Sequence, residues 1–410
     1  MHVVVIGGGG AGMATAHYLA QAHQVTVLER QPMLGGNIRT LNRNVETKNL
    51  PRDIFIDNGV IEFHRDHSPG LNALIRELGL ELEHFPGGSS GLYLERGRSF
   101  HMPGAIRDQQ RGFATKTRQY LQLARVIHHL IPILMRMQKV RSNPGNSVAA
   151  FLGEDTMSRW LRMLLMYGYS IPYAQIDEFP ARLAIYTLLQ SSIGTRWVRF
   201  KGGVYRYIEE ILRQASDNLT VKTEQTVLAV SREASGVCVE CSNRIIQADK
   251  LVFATPPDQV LGLLTDTTDK ERLWFSNWQA NHAETVIHTD ESIYAGWAAP
   301  GFTEFDLFEK EGGRDAGYNA WLNRLCGLPD GHNTNYFLAF NLEDRIDPQK
   351  ILDRQRHHTP RYTARAARHI DEIKAGNGRN NTYHAGAYLY NGLHEGAIQS
   401  ALAIKSLFGL

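Results

Sequence analysis

Three glycines near the amino terminus have the spacing that a phosphate-binding loop requires. Gly7, Gly9 and Gly12 follow an apolar run at residues 3–6 and precede a helical pattern at residues 13–22. In such a loop the first glycine permits a tight turn, the second lets backbone approach a pyrophosphate, and the third lets helix and strand pack closely. The unpaired N–H groups of the first helical turn then face the phosphates. This order of strand, glycines and helix predicts a dinucleotide site.

An acidic residue completes this pattern. Residues 24–28 have the character of a second strand, and Glu29 stands at its carboxyl end, where a carboxylate can accept hydrogen bonds from both ribose hydroxyls. A carboxylate there disfavours the 2′-phosphate of NADP. The sequence has no second loop of this type, so we expect no dedicated NAD(P)H site. Electrons should enter from an organic substrate and leave to oxygen or another acceptor.

Composition limits the remaining possibilities. At 410 residues the chain is longer than a usual single domain, so two domains are expected. A net charge of +2 gives no reason to expect nucleic acid as a partner. Cys238 and Cys241 fall in an apparent strand, and we expect an incidental pair, a reducing compartment and no metal site. The amino terminus lacks the basic segment of a secretory signal, and no run approaches the ~18 apolar residues of a membrane-spanning helix, so we expect a cytoplasmic protein.

Further segments resemble, in the same order along the chain, those of the FAD-dependent amine oxidase and phytoene desaturase superfamily. Residues 34–40 (LGGNIRT) resemble its GGRxxT segment, except that Asn37 stands at the usual arginine position and Arg39 follows two residues later. Residues 55–63 (FIDNGVIEF) resemble its Asp-x-Gly segment, which lies near the isoalloxazine in the family. The narrower resemblance is to a bacterial subgroup of predicted NAD/FAD-binding oxidoreductases with poorly defined substrates.

The middle and the end of the chain carry the other matching segments. Residues 200–205 resemble the family's paired glycines before a helix, and the resemblance implies that Val227 pairs with adenine through its backbone. Residues 250–257 resemble the strand that returns the chain to the substrate domain. Residues 382–397 resemble the carboxyl-terminal flavin-binding segment. The helix amino terminus in that segment suits the flavin N1–C2=O edge, which becomes anionic on reduction.

The resemblance implies an α/β protein in which a Rossmann-type FAD-binding domain is interleaved with a mixed α+β substrate domain. The implied FAD-binding domain comprises residues 1–87, 200–257 and 376–410, and the substrate domain comprises residues 88–199 and 258–375. FAD is expected to bind noncovalently, because no cysteine falls in the carboxyl-terminal segment. The residues predicted to bind FAD are Gly7, Gly9, Ala11, Gly12, Glu29, Arg30, Gly35, Gly36, Asn37, Arg39, Asn58, Gly59, Val60, Val227, Ala254, Gly386, Ala387, Glu395, Gly396 and Ala397.

Catalytic residues are harder to predict. Hydride transfer to a flavin needs a substrate C–H bond near N5 and a dry pocket, and it does not always need a protein base. Amine oxidases of the family often hold a water near N5 with a lysine, and we assign no such lysine here. We take Tyr388, Tyr390 and His394 as the catalytic candidates, with Trp321 and Asn319 as further candidates for the flavin face.

Several reactions fit these features. Hydride abstraction from a C–C bond, as in a desaturase, competes evenly with abstraction from a C–N bond, as in an amine oxidase, on a small hydrophobic substrate. A redox-neutral isomerisation on reduced flavin is a further alternative, and so is a non-catalytic binding protein that FAD stabilises. An NAD-dependent dehydrogenase is disfavoured, because Arg39 and residues 386–397 would have no purpose. His288 and His384 are expected to be strand histidines with local hydrogen-bond partners.

Residues 96–141 form a strongly basic region. They include ten Lys or Arg and one acid, Asp108. Apolar residues recur there at helical spacing: Leu123, Val126, Ile127, Leu130, Ile131 and Leu134. Our first expectation is a helix packed on the core with a solvated basic side. The alternative is a basic amphipathic face that rests on anionic lipid, which would make a peripheral membrane contact and associate the protein with the membrane.

Overall fold

The computed structural model describes residues 1–47, 49–85, 89–95, 97–108, 110–143, 145–190, 196–297, 301–329 and 331–410. Gly88, where a predicted domain boundary falls, and Arg96, where the basic region begins, lie outside the described residues. None of the helices in the described ranges combines the length and the apolar composition needed to cross a bilayer.

A parallel sheet brings the two ends of the chain together. Its strands are β1 (His2–Ile6), β2 (Gln24–Leu28), β10 (Leu219–Lys222), β14 (Lys250–Phe253) and β20 (Thr382–His384). They lie in the order β10-β2-β1-β14-β20 and are all parallel. The apolar interior of β1 is buried, as expected of a strand covered on both faces. The strand nearest the carboxyl terminus therefore lies two places from the first strand of the chain.

Helices and smaller sheets surround this sheet. Helix α1 (Gly10–Leu19) follows β1 and packs against α14 (His394–Leu407), which also contacts α2 (Pro69–Glu77). The smaller sheets pair β3 (Ile38–Leu41) with β4 (Ile56–Gly59), β9 (Trp197–Phe200) with β5 (Glu62–His64) and β6 (Leu82–Phe85), and β12 (Gly236–Cys241) with β11 (Val227–Glu233) and β13 (Arg244–Ala248). Cys238 and Cys241 lie three apart on β12, so their thiols point to opposite faces of the strand.

A second large sheet contacts β4 through its strand β15. Its strands, in spatial order, are β19 (Ile351–Arg361), β15 (Gln279–His288), β18 (Phe337–Phe340), β17 (Asp315–Trp321), β16 (Phe305–Lys310), β7 (Ser90–Leu94) and β8 (Arg98–His101). The remaining helices are α3 (Pro103–Asp108), α4 (Phe113–Ile127), α5 (Leu130–Val140), α6 (Thr156–Tyr169), α7 (Ala181–Gln190), α8 (Arg206–Arg213), α9 (Val260–Leu263), α10 (Asp269–Phe275), α11 (Leu322–Leu325), α12 (Ala364–Ala367) and α13 (Ile370–Gly376).

The architecture is the mixed α/β arrangement that the sequence predicts. All strands of the second large sheet fall inside the segments predicted to form the substrate domain. The division into two domains stays a prediction. Strand β9 ends at Phe200 and so crosses the predicted boundary between residues 199 and 200.

Candidate functional site

The first glycine loop is folded tightly against the end of β14. Gly7 has φ +108°, a conformation that favours glycine, and a Cβ built on it would lie 2.7 Å from the Ala254 carbonyl oxygen. A Cβ on Gly12 would lie 1.9 Å from the Gly7 carbonyl oxygen. Ala11 is buried in the first turn of α1. Gly7 and Gly12 therefore provide the tight turn and the close packing that their spacing predicts.

The reason for a glycine at position 9 differs from the reason at positions 7 and 12. A Cβ on Gly9 would find no protein atom closer than 3.8 Å, so the fold itself does not require glycine there. A Cβ on Gly36 would lie 3.1 Å from the Gly9 Cα, and the Gly35 N–H donates to the Gly8 carbonyl oxygen at 2.9 Å. The two glycine segments, residues 7–12 and 35–36, thus pack side by side, with Gly9 and Gly36 only partly buried, and we call them together the glycine cradle.

Glu29 lies at one end of the glycine cradle. Its buried carboxylate accepts a hydrogen bond from the Gly8 N–H at 2.8 Å. The Gln225 N–H donates to the Glu29 carbonyl oxygen at 2.9 Å, so the segment that leads into Val227 lies beside this acid. Gln225 Oε1 is enclosed and has no hydrogen-bond partner in the described part of the chain. Arg30 is exposed. This corner offers adenosine a carboxylate for the ribose and an unpaired acceptor, Gln225 Oε1, for the base.

Arg39 is the cation of the site. It lies on β3 opposite Asn58 of β4, and its Nη1 is enclosed with no hydrogen-bond partner among the described residues. Burial lowers the pKa of Arg39. The Glu29 carboxylate favours the charged form of Arg39, but Nη1 still lacks a hydrogen-bond partner, and an anion there would relieve that cost. Asn37, at the family's usual arginine position, donates through Nδ2 to the His358 carbonyl oxygen at 3.0 Å on β19.

The amino terminus of α14 is arranged to leave two amides available. Asn391 Oδ1 accepts hydrogen bonds from the N–H groups of Leu393 and Gly396, each at 3.0 Å. A Cβ on Gly396 would lie 2.5 Å from that oxygen, which explains the glycine. The N–H groups of His394 and Glu395 donate to no protein acceptor within the described ranges. This first turn can therefore bind a partly negative ligand atom.

The Glu395 side chain has a separate role. Its carboxylate accepts hydrogen bonds from the N–H groups of Gly70 and Leu71 at 2.9 and 2.8 Å, and so caps the amino terminus of α2. Because this carboxylate is engaged in the cap, the predicted contacts of Glu395 with FAD are restricted to its backbone. Gly386 and Ala387 lie in the turn that precedes α14, and Ala397 lies in the first turn of the helix.

His394 and Tyr390 have different neighbours. His394 Nε2 is 3.2 Å from Tyr207 Oη and 3.8 Å from the position of a Cβ on Gly10, beside the glycine cradle. Burial lowers the pKa of His394 to about 4, so its imidazole is neutral at pH 7. Tyr390 is half-buried beneath the Lys374 ammonium, 5.2 Å from the ring centre. The catalytic candidates therefore do not form one group, and their catalytic assignment stays a prediction.

Tyr388 belongs to an aromatic cluster, which we define as Tyr169, Phe179, Trp278, Tyr362 and Tyr388. All five are buried. The Trp278 ring centre lies 5.4 Å from that of Tyr388 and 5.7 Å from that of Tyr362, both in edge-to-face geometry. Tyr169 Oη donates to the Asn391 carbonyl oxygen at 2.9 Å, which joins the cluster to the carboxyl-terminal segment.

Two polar atoms of the aromatic cluster have no partner. Trp278 Nε1 and Tyr388 Oη are enclosed and make no hydrogen bond with any described residue. Burial raises the pKa of Tyr388, so its hydroxyl stays protonated and can donate. Buried polar groups in proteins are nearly always paired, and exceptions often mark a site that another molecule occupies. The cluster therefore presents two hydrogen-bond donors in an apolar setting.

A neutral polar group joins the small β3–β4 sheet to the second large sheet near the Asp-x-Gly segment. Thr285 Oγ1 on β15 donates to Asn58 Oδ1 at 2.6 Å, and His357 Nε2 on β19 lies 2.9 Å from Thr285 Oγ1. Burial lowers the pKa of His357 to about 4. A Cβ on Gly59 would lie 3.0 Å from His357 Cε1, and Val60 follows half-buried. This junction carries no formal charge at pH 7.

The other candidates for the flavin face are engaged elsewhere. Asn319 Oδ1 is 2.9 Å from His288 Nε2 within the second large sheet, so His288 has the local partner that we expect. Trp321 Nε1 donates to Asn335 Oδ1 at 3.0 Å. His384 differs from expectation, because its Nδ1 is enclosed without a partner among the described residues.

Five residues of the site have no sequence signal that we could use: Gln225, Trp278, Thr285, His357 and Tyr362. Each has the residue type of an ordinary strand or core position, and each belongs to the site only because distant segments meet there. The alternation of strands could have found Thr285 and His357 only if the pairing of β15 with β19 had been known.

Comparisons with known proteins agree with this geometry. Residues 11–293 match the model of the family described as flavin containing amine oxidoreductase. L-amino acid oxidase Cdc18 of Crotalus durissus cumanensis is 36% identical over 85 residues, which make up 20% of this chain. The match covers only 15% of that protein's own length.

Solved structures share the fold across the whole chain. Cyclohexylamine oxidase from Brevibacterium oxydans IH-35A covers 100% of this chain and 99% of its own, with a TM-score of 0.71 at 15% identity. A CLA-producing fatty acid isomerase from P. acnes covers 100% of this chain and 98% of its own, with a TM-score of 0.67 at 15% identity. At these identities the likeness shows the fold alone.

Proposed function

The chain belongs to the flavin-containing amine oxidoreductase family, and from this premise we propose that it is an FAD-dependent oxidoreductase acting on a small hydrophobic amine. In the proposed reaction the substrate loses a hydride from the carbon of its C–N bond and a proton from its nitrogen, and becomes an imine. The proposal rests on one observation above the others: the two unpaired donors of the aromatic cluster, Trp278 Nε1 and Tyr388 Oη.

The residues of the site fit FAD as the cofactor. Glu29 would bind the ribose hydroxyls of the adenosine half, and the amides of the glycine cradle with Arg39 would bind the diphosphate. The His394 and Glu395 amides would face the carbonyl edge of the flavin ring. When bound, FAD supplies a two-electron acceptor for a hydride. The enclosed, unpaired Arg39 Nη1 is the feature that supports an anionic ligand most directly.

Two hydrogen-bond donors in an apolar setting suit an uncharged amine. A neutral amine nitrogen has a lone pair that accepts a hydrogen bond from Trp278 Nε1–H or Tyr388 Oη–H, whereas an ammonium group has none. A hydrocarbon chain undergoing C–C desaturation would leave both donors unpaired, which costs free energy in a buried site. The donors thus favour C–N over C–C oxidation.

The polar junction of Asn58, Thr285 and His357 supports the same choice of substrate form. It is uncharged at pH 7, and burial keeps the imidazole neutral. None of these three residues gives a charged ammonium a counter-ion, so the free amine is the form that they would accept. Their role would be to orient the substrate and to keep water out.

Anaerobic titration of the purified flavoprotein tests this proposal. Cyclohexylamine, putrescine and benzylamine form one arm, and linoleic acid with a terpenoid hydrocarbon forms the other. We expect hydrophobic amines to bleach the flavin band at about 450 nm, with faster bleaching at higher pH as more free amine is present. Bleaching by the second arm alone would contradict the proposal in favour of desaturation. A shifted double bond without net bleaching would contradict it in favour of isomerisation.

A further inference from the structure

Few side chains of helices α4 and α5 pack against the rest of the protein. Among their described side chains, only Leu123 and Val126 are buried in the 15 residues of α4, and only Ile133 and Met137 in the 11 residues of α5. The two helices nevertheless carry seven of the sixteen exposed large hydrophobic side chains in the described part of the chain. These seven are Phe113, Tyr120, Leu121, Ile127, Ile131, Leu134 and Met135.

Helix α5 has an apolar face on each side. Ile133 and Met137, four residues apart, face the core. Ile131 and Met135, also four apart, lie on the opposite side and are 63% and 62% exposed. A surface helix of a protein surrounded by water carries polar residues on that side. The outer face of α5 is thus apolar, which differs from our first expectation of a solvated basic side.

Helix α4 places basic residues beside its exposed apolar ones. Phe113, Tyr120 and Ile127 recur every seven residues, close to two helical turns, and so form one stripe. Arg118 and Arg125 are also seven residues apart and form an exposed row about 140–160° around the helix from that stripe, with the exposed Leu121 between the two rows. Exposed apolar residues combined with a row of arginines are typical of amphipathic helices that lie in the headgroup region of a bilayer.

The positive charge of this region favours an anionic partner. Residues 109–153 contain seven Lys or Arg and no acidic residue. We propose that the outer faces of α4 and α5 dock on an anionic lipid bilayer, with the apolar side chains inserted to a shallow depth and the basic side chains at the lipid phosphates. A second copy of the chain is disfavoured as the occupant, because a two-fold contact would bring the same positive surfaces together.

Vesicle binding tests this inference without reference to cofactor or reaction. We expect the protein to sediment with phosphatidylglycerol vesicles at low salt and to bind phosphatidylcholine vesicles much more weakly. The double variant I131E/M135E should lower the partition coefficient at least about tenfold, because two inserting side chains become charged. The matched control is L228E/I245E, which changes two residues that are 52% and 66% exposed on β11 and β13, and it should bind like the wild type.

Two further measurements separate insertion from unfolding and from dimerisation. Both double variants should keep the wild-type thermal midpoint, because the replaced side chains are exposed. In F113W, the tryptophan at a position 87% exposed should be quenched by brominated phosphatidylglycerol. Failure of the wild type to bind phosphatidylglycerol, or equal binding by I131E/M135E, would overturn the inference. So would a wild-type dimer that I131E/M135E converts to a monomer.

Discussion

The glycine cradle and the aromatic cluster build their parts of the site from different materials. In the cradle, the contacts that we propose for the ligand come from backbone amides and glycine Cα atoms, and residues close in sequence supply them. In the aromatic cluster, side chains from five separate segments enclose two unpaired donors. A backbone site needs glycines at fixed spacing and so leaves a sequence pattern. A side-chain cluster needs only tertiary contact, and each of its members looks like an ordinary core residue.

Gly9→Ala is the variant with the largest expected effect, and it tests whether the cradle is shaped for a ligand. The new methyl group would find no protein atom closer than 3.8 Å, so the protein should fold normally. It would occupy the space expected for the diphosphate, and we expect FAD to bind at least about 1000-fold more weakly, or about 4 kcal/mol. Fluorescence titration of the apoprotein measures this dissociation constant.

The control for this variant is Gly168→Ala on α6, where a Cβ would meet no atom within 4 Å and which lies away from the cradle. It should bind FAD like the wild type. Normal FAD affinity in Gly9→Ala would break the comparison, since the cradle would then be structural only.

Arg39→Met sharpens the cradle's electrostatic role by separating ligand binding from stability. The variant removes an enclosed, unpaired N–H together with a charge that Glu29 favours, so the apoprotein should be about as stable as the wild type. FAD should bind about 30-fold more weakly, because the diphosphate loses a charge-assisted hydrogen bond. Arg43→Met is the contrast, since Arg43 pairs with Glu209 at 2.9 Å, and it should not stabilise the apoprotein. Weaker apoprotein stability with unchanged FAD affinity in Arg39→Met would be the opposite of this account.

Trp278→Phe tests the aromatic cluster in the same way. The variant keeps an aromatic ring, smaller than the indole, and removes one unpaired donor, so kcat/KM for a hydrophobic amine should fall about tenfold, while the flavin spectrum stays unchanged. Tyr169→Phe is the control, because its hydroxyl is already paired with Asn391 and its loss should reduce stability more than kcat/KM. Steady-state kinetics with the best amine of the titration checks both. An unchanged kcat/KM in Trp278→Phe would remove the basis for the amine assignment.

The smallest expected effect concerns the neutral junction of Asn58, Thr285 and His357. The pKa of His357 is lowered to about 4 in the folded protein, below its ordinary value of about 6.5. As the pH falls, the His357 imidazole therefore takes up a proton in the unfolded chain before it does so in the folded protein. This difference lowers the free energy of unfolding between pH 7 and pH 4. From pH 7 to pH 5.5 the wild type should lose about 1 kcal/mol more than His357→Gln in urea unfolding. An equal slope in the wild type and His357→Gln would show that this imidazole is not buried neutral.

The sequence predicts the cradle far better than the cluster. The loop at Gly7–Gly12, the acid Glu29 and the last strand and helix are in the structure at their predicted positions, because each depends on local chain geometry. Glu395 was less predictable, since its carboxylate caps a helix more than 300 residues earlier. Trp278 and His357 were not predictable at all, because their place in the site depends on pairing between distant strands and loops.

The visible spectrum of the freshly purified protein tests the central claim most directly. If the cradle and the first turn of α14 together hold FAD, the protein should be yellow with a band at about 450 nm. Denaturation should then release about one FAD per chain. A colourless protein that gains no flavin band when FAD is added to the folded apoprotein would contradict the account.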